Sequence, residues 1–258
     1  LAARAEGVSL SQKLGGDRDV VPVGVSIGLK ATDEELHESV SGYLDDGYAR
    51  VKIKIKPGRD IEMLAGLRER FPDVAFMADA NSAYTLDDVD RLKELDALDL
   101  MMIEQPFSYD DFLDHARLQE QLSTPVCLDE SIKSEGDLAL AFELGSCQIV
   151  NIKPGRVGGF GVSRRLHDTA RDRDMPVWCG GMLESGVGRA YNVALASLPG
   201  FSLPGDISAS QRYWEQDIVT PEFEVEDGVM RVPSGVGLGV ELDLDRIHGL
   251  TTREASFG

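Results

Sequence analysis

Positive charge is scarce in this 258-residue chain, cysteine is scarcer, and long apolar runs are missing. Lysine and arginine number 26 against 45 aspartates and glutamates, giving a formal charge of −19, and no basic residues cluster into a stripe. Phosphate binding needs a basic surface, so nucleic acid is set aside as a partner. No apolar stretch approaches the ~18 residues of a membrane helix, so no membrane partner is expected either. The three cysteines, Cys127, Cys147 and Cys179, are odd in number and far apart, without ligand-type neighbours. They read as buried, reduced thiols of a cytoplasmic protein. His37, His115, His167 and His248 are equally scattered and lack a partner at zinc spacing.

What is present is alternation. From Val20 onward, short β-rich runs alternate with longer amphipathic stretches, as in successive β-α units around a parallel sheet. Eight strands are expected near Val20–Gly28, Ala49–Ile55, Val74–Asp79, Leu100–Glu104, Val126–Asp129, Gln148–Ile152, Pro176–Cys179 and Phe201–Pro204. Thr32, Thr85 and Ser134 stand before acidic first turns as helix caps. No GxGxxG turn follows the first strand, which favours a barrel over an open doubly wound sheet. Residues 20–210 are therefore expected to form a (β/α) barrel. Residues 1–19 read as the end of a linking helix from a missing upstream domain, stopped by glycine, and 211–258 as a C-terminal tail. In that tail Asp227-Gly228 predicts a hairpin between Glu222–Glu226 and Val229–Val232. The Gly-rich Ser234–Gly239 is expected to run along the barrel mouth or toward an upstream domain.

The chemistry lies in one regularity. Lys54, Asp79, Glu104, Asp129 and Lys153 end five successive strands, at steps of 25, 25, 25 and 24 residues, about one β-α unit each. Any one of them alone is better read as a cap, a salt bridge or a solvated charge. Five at a common phase predict a ring at the C-terminal mouth, where barrel enzymes carry their active sites. Three converging carboxylates suit a hard cation, Mg²⁺ or Mn²⁺, better than zinc. Two lysines flanking a cation-bound carboxylate substrate can serve as base and opposing group while an enolate forms. A lysine base needs a depressed pKa, and Lys52, of the same strand parity as Lys54, is placed to repel it. Lys56 is read as solvated, and the Gly158-Gly159 and Gly180-Gly181 pairs as helix entries rather than phosphate loops.

These residues resemble the enolase superfamily, and within it the muconate-lactonising subgroup, with Lys52-Ile53-Lys54 on the second strand and Lys153 on the sixth. The phrases DAN, EQP, LDES, NIKPGRVGG, GGMLESGVGRA and LPGDISAS look most like the o-succinylbenzoate synthase and N-acylamino acid (N-succinylamino acid) racemase family. The resemblance covers nearly the whole chain. It implies a (β/α)7β TIM-like barrel in which Asp79, Glu104 and Asp129 bind the metal. It also implies that Lys54 abstracts the α-proton, and that Lys153 stabilises the enolate or acts as the opposite base. Asn81, Glu130 and Asn151 would support these groups. Arg156 would tune Lys153 or form a helix-entry ion pair. Met182 and Leu183 would form pocket wall or ordinary loop packing. Relatives carry an N-terminal α+β capping domain that closes over the substrate, expected to be absent from this chain.

The activity implied is syn dehydration to o-succinylbenzoate in menaquinone synthesis, racemisation of N-succinylamino acids by two-lysine proton transfer, or both, on a small carboxylate. Dipeptide epimerisation and muconate cycloisomerisation use the same lysine pair. A catalytically silent barrel acting as a binding module is the non-enzymatic alternative, against which all five ring residues argue. Homo-oligomers are common among such barrels, but no apolar helix stripe specifies an interface.

Overall fold

The computed structural model describes residues 1–255. Its strands are β1 (Val20–Pro22), β2 (Val25–Ile27), β3 (Arg50–Lys54), β4 (Ala75–Asp79), β5 (Ile103–Glu104), β6 (Val126–Leu128), β7 (Ile149–Ile152), β8 (Val177–Cys179), β9 (Val219–Thr220), β10 (Val229–Arg231) and β11 (Glu241–Leu242). The helices are α1 (Ala2–Glu6), α2 (Leu10–Leu14), α3 (Asp33–Asp45), α4 (Ile61–Arg70), α5 (Val89–Leu92), α6 (Phe112–Gln119), α7 (Glu135–Leu144), α8 (Pro154–Val157), α9 (Phe160–Arg171), α10 (Gly186–Ala196) and α11 (Leu244–Leu250).

Strands β2 to β8 form one parallel seven-stranded sheet in sequence order. The eighth expected strand is a bridging segment rather than a regular strand. Phe201 bridges Val177 at one edge of the sheet and Gly205 bridges Val23 beside the other. Asp206 N donates to Cys179 O at 3.0 Å, and Gly24 N to Gly205 O at 2.8 Å. Residues 201–206 thus join both edges, and the sheet continues round through eight staves. Alternation along the strands sorts side chains to two faces. Val51, Ile53, Ala78, Ile103 and Val150 join the large core beneath the helices. The small cluster of Met77, Met102, Cys127, Ile149 and Trp178 fills the interior. There the Trp178 indole N–H donates to Cys127 Sγ at 3.3 Å.

The crossovers form for local reasons visible in their first turns. Thr32 Oγ1 accepts from Glu35 N at 3.2 Å, and α3 buries Leu36 and Val40. Ser134 Oγ accepts from Asp137 N at 3.3 Å. Apolar burial of this kind contributes about 1.5–3 kcal/mol for each large side chain. After Thr85 the crossover is a 3-10 turn followed by the four-residue α5, not one continuous helix.

Several expectations are corrected. The first predicted strand is two, since β1 pairs antiparallel with β10 while β2 opens the parallel sheet. The predicted hairpin shrinks to one bridge, Glu226 to Val229, across an Asp227-Gly228 turn with φ of 50° and 76°. Both positive angles fit a type I′ turn, but Val229–Arg231 spends its hydrogen bonds on β1. Residues 1–19 hold two short helices, closed by left-handed Gly7 and Gly15, instead of a single helix end. Helix α2 docks on α10, where the Ser11 and Ser197 hydroxyls meet at 2.6 Å. Gly237 bridges Ser9, so the Gly-rich tail runs beside residues 8–10.

Candidate active site

Lys54, Asp79 and Glu104 are the last residues of β3, β4 and β5, while Asp129 and Lys153 directly follow β6 and β7. Register pairs Lys54 with Asp79 and Asp79 with Glu104, which holds the charged groups level at the C-terminal ends of the strands. The five predicted residues are thus brought together.

Their side chains form a chain of ion pairs. Lys54 Nζ lies 2.5 Å from Asp79 Oδ2 and also donates to Asn81 Oδ1. Lys153 Nζ lies 2.6 Å from Asp129 Oδ2, whose other oxygen accepts from Arg156. Asn151 Nδ2 donates to Glu104 Oε1 at 2.8 Å, and Asn81 Nδ2 to Glu130 Oε1 at 3.2 Å. Arg156 also donates to the carbonyls of Ile132 and Asn151, so it braces Asp129 rather than touching Lys153. Gln105 supports the row from behind, accepting from Asp129 N at 3.0 Å and donating to Ser131 Oγ at 2.8 Å.

Lys52 is a different kind of lysine. It is buried against the Trp178 ring, 5.0 Å from the centroid, and meets Asp206 at 2.6 Å, Glu104 at 2.7 Å and Asp79 at 3.1 Å. Burial alone would lower its pKa, but Asp206, Glu104 and Asp79 together raise it well above the ordinary value. Its charge is therefore fixed, and answered by three carboxylates. Asp206, on the bridging segment, is shared with Arg50 at 2.6 Å. Lys52 and Arg50 outweigh burial and hold it well below the usual carboxylate range. Sequence reasoning missed Arg50, Asp206 and Trp178 as parts of the site. The parity of Arg50 with Lys52 and Lys54 was the available signal for the first.

Burial also acts on the acids. For Glu104 it outweighs Lys52 and, with Asp79, Asp129 and Asp206 close by, pushes the carboxyl up to about 8. Asp79 goes the other way, because Lys52 and Lys54 outweigh its desolvation. Lys153 is raised, since the pull of Asp129 and Glu104 exceeds the cost of burying its charge. Neither Lys52 nor Lys153 is thus depressed by its surroundings.

Among the described residues, no three of His, Cys, Asp and Glu converge closely enough to hold a metal as they stand. Each carboxylate is turned onto a cation of the chain. In chemistry the residues nevertheless fit a hard divalent ion: three acids on adjacent strands, Asp79, Glu104 and Asp129, offer oxygen donors at one level of the barrel mouth. The buried acceptors Asn151 Oδ1 and Glu130 Oε2, which flank this row, have no hydrogen-bond partner.

Two glycines explain the GGMLESG phrase. A methyl on Gly180 would lie 2.6 Å from Lys153 Cε, and one on Gly181 would lie 1.9 Å from the Asp206 carbonyl oxygen. Their bareness admits the lysine and the bridging segment. Beyond them Met182 lines the cleft that reaches Lys153, whereas Leu183 is 72% exposed and does not.

Residues 35–246 match the family model described as Enolase C-terminal domain-like, and the chain belongs to the enolase superfamily. It is 54% identical over 251 residues to an o-succinylbenzoate synthase of Geobacillus stearothermophilus, a span covering 97% of this chain and 67% of that protein. It is 52% identical to an N-succinylamino acid racemase of Thermus thermophilus, over 97% of this chain and 68% of that one. A solved enolase-superfamily structure from Listeria innocua matches with a TM-score of 0.93 at 49% identity, covering 96% of this chain and 67% of the other.

Proposed function

We propose that this protein forms the enolate of a small carboxylate substrate, as an o-succinylbenzoate synthase by syn dehydration, an N-succinylamino acid racemase by 1,1-proton transfer, or both. One observation carries the reading. Around the eight staves, β3 and β7 are four apart, so Lys54 and Lys153 stand diametrically across the mouth with the three acids between them. Their side chains are 30% and 20% exposed, against 4% for Lys52, so these two open toward an incoming substrate.

A divalent cation, Mg²⁺ or Mn²⁺, held by Asp79, Glu104 and Asp129 would neutralise those acids and offset the charge that develops on a substrate carboxylate. The chain's own residues do the rest. Lys54 Nζ takes the α-proton from one face. Lys153 Nζ, on the other, either returns a proton, completing racemisation, or remains charged and steadies the enolate while the β-hydroxyl, on the face of Lys54, leaves as water with the proton that Lys54 took. Lys52, fixed in its charge, faces the same developing anion from below. Asn151 holds Glu104, and Arg156 holds Asp129, in place for that work. The similarity to proteins of both names supports a single site capable of both outcomes. A cytoplasmic enzyme of menaquinone synthesis is the setting that accords with the synthase reading.

Proton NMR of N-succinyl-phenylalanine in D₂O with Mg²⁺ tests the shared step. Metal-dependent α-deuteration is expected, and Lys54→Ala and Lys153→Ala should each abolish racemisation. Racemisation that survives in either variant would sink the two-lysine mechanism.

A further inference from the structure

On its outer side the space around Lys153 widens into a cleft of about 780 Å³ between the N-terminal parts of α9 and α10. At the inner end Lys153 and Arg156 are both paired to Asp129, with Glu130 beside them, and Glu184 also lines the cleft. Farther out the walls are Pro154, Phe160, Met182 and Tyr191. The Phe160 and Tyr191 rings stand 5.2 Å apart at 30°, forming one aromatic wall contributed by two helices. Tyr191 remains 37% exposed and Met182 64% exposed, an apolar surface left to water at the edge of a charged site.

The loop carrying Met182 is held in place. Glu184 Oε1 accepts from Met182 N at 2.7 Å and from Asn192 Nδ2 at 2.8 Å, tying the loop to α10. The Glu184 carbonyl accepts from Trp214 Nε1 at 3.1 Å and from Arg189 at 3.3 Å, and buried Arg189 is anchored on Asp217 at 3.2 Å. A preformed apolar wall next to a catalytic group is the arrangement of a ligand subsite.

We propose that this cleft receives the hydrocarbon substituent carried by the substrate's α-carbon, and that Phe160, Tyr191 and Met182 set the size it accepts. The proposal rests on the reading of Lys153 as the group facing that carbon. An amino-acid side chain and the methylenes of an acyl chain share this chemistry, so two substrate series separate them. One holds N-succinyl constant and varies the amino acid through alanine, valine, leucine and phenylalanine. The other holds phenylalanine and varies the acyl group through acetyl, succinyl and hexanoyl.

In whichever series fills the cleft, Tyr191→Ala and Phe160→Ala should lower kcat/KM for the largest member by roughly tenfold or more, mainly through KM. The smallest member should stay within about twofold on the same grounds. Tyr191→Phe, which keeps the ring, should retain the size preference that Tyr191→Ala loses. Circular dichroism checks folding, and both positions are only partly buried. Calorimetric affinities for N-succinyl-phenylalanine and N-hexanoyl-phenylalanine provide a readout that does not need turnover. Equal effects across every member of both series, with affinities unchanged, would overturn the cleft assignment while leaving Lys153-dependent exchange intact. Loss of exchange in the unsubstituted protein, with affinities that still depend on Tyr191, would instead overturn the parent reading alone.

Discussion

Gly180→Ala tests the position of Lys153 without altering any charged group. A methyl built at Gly180 would lie 2.3 Å from Asn151 Oδ1, 2.6 Å from Lys153 Cε and 2.7 Å from Lys153 Cγ. Carbon atoms settle at about 3.5–4.0 Å, so the lysine stem must retreat by about 1 Å. Its Cγ lies too near the backbone to swing aside as a terminal ammonium can. The 2.6 Å contact between Lys153 Nζ and Asp129 is then the first to lengthen. Gly180 is not among the residues with positive φ, so alanine adds bulk without backbone strain. Overpacking of this kind costs about 1–3 kcal/mol, which lowers Tm without unfolding the protein. A displacement of about 1 Å at a reacting group can cost roughly 10²-fold in rate. The assay is α-deuteration of each enantiomer of N-succinyl-phenylalanine, followed separately by NMR. Exchange of the enantiomer whose α-hydrogen faces Lys153 should fall about 10²-fold. Exchange of its mirror image, served by Lys54, should hold within a few-fold, and racemisation should follow the slower of the two. Undiminished rates for both enantiomers in folded protein would refute the placement of Lys153. Equal loss of both would point to collapse of the whole carboxylate row.

Three further outcomes are expected. Lys52→Met removes the cation that Asp79, Glu104 and Asp206 share in a buried site, and should cost about 3–5 kcal/mol in urea unfolding; an unchanged midpoint would mean that Lys52 does not hold these acids. His115 and His167 are buried, desolvation lowers both pKa values, and their Nε2 atoms accept from Phe107 N at 3.1 Å and Gly200 N at 2.9 Å. With folded pKa values below the unfolded value of about 6.5, their stabilisation is complete above that pH and is lost as pH falls toward the folded values. Tm should therefore drop between about pH 7 and pH 5, less steeply in the His115→Gln, His167→Gln double variant. Mn²⁺ should raise Tm with the logarithm of its concentration above Kd, and Asp129→Asn should weaken the paramagnetic resonance signature of the bound ion; identical titrations in the two proteins would remove Asp129 from the ligand set.

The five ring residues were legible because a parallel barrel repeats at nearly constant chain length. Equal spacing along the sequence becomes equal height on the sheet, as the Lys54–Asp79 and Asp79–Glu104 registers bear out. Strand cores were legible for the same reason, though Leu100–Glu104 shortens to Ile103–Glu104, with Met101 and Met102 still hydrogen-bonded to Phe76 and Ala78 of β4. What escaped depends on meetings between distant segments. Arg50 and Asp206 are 156 positions apart and touch only because residues 201–206 bridge the sheet's two edges. The partner of Val229–Arg231 was hidden likewise, since a strong local turn at Asp227-Gly228 favours the adjacent strand, whereas β1 competes for the same hydrogen bonds from the far end of the chain, pairing Val20 with Arg231 and Pro22 with Val229. The row's side-chain pairing was not legible either, because spacing fixes where a carboxylate starts and not which cation it turns to.

The Lys52-Ile53-Lys54 phrase carries the clearest division of labour. The two lysines lie one pleat apart on the same face of β3, so their chemistry differs only through height in the barrel. Lys52, lower down, is 4% exposed, covered by Trp178 and surrounded by three acids. Removing its proton would leave those acids uncompensated in a low-dielectric interior, so it cannot serve as a base at neutral pH. Lys54, one step higher, contacts one acid and the Asn81 amide and is 30% exposed. On the proposed mechanism, identical side chains at adjacent inward positions are divided, one to permanent charge and the other to proton transfer, by the depth at which the strand sets them.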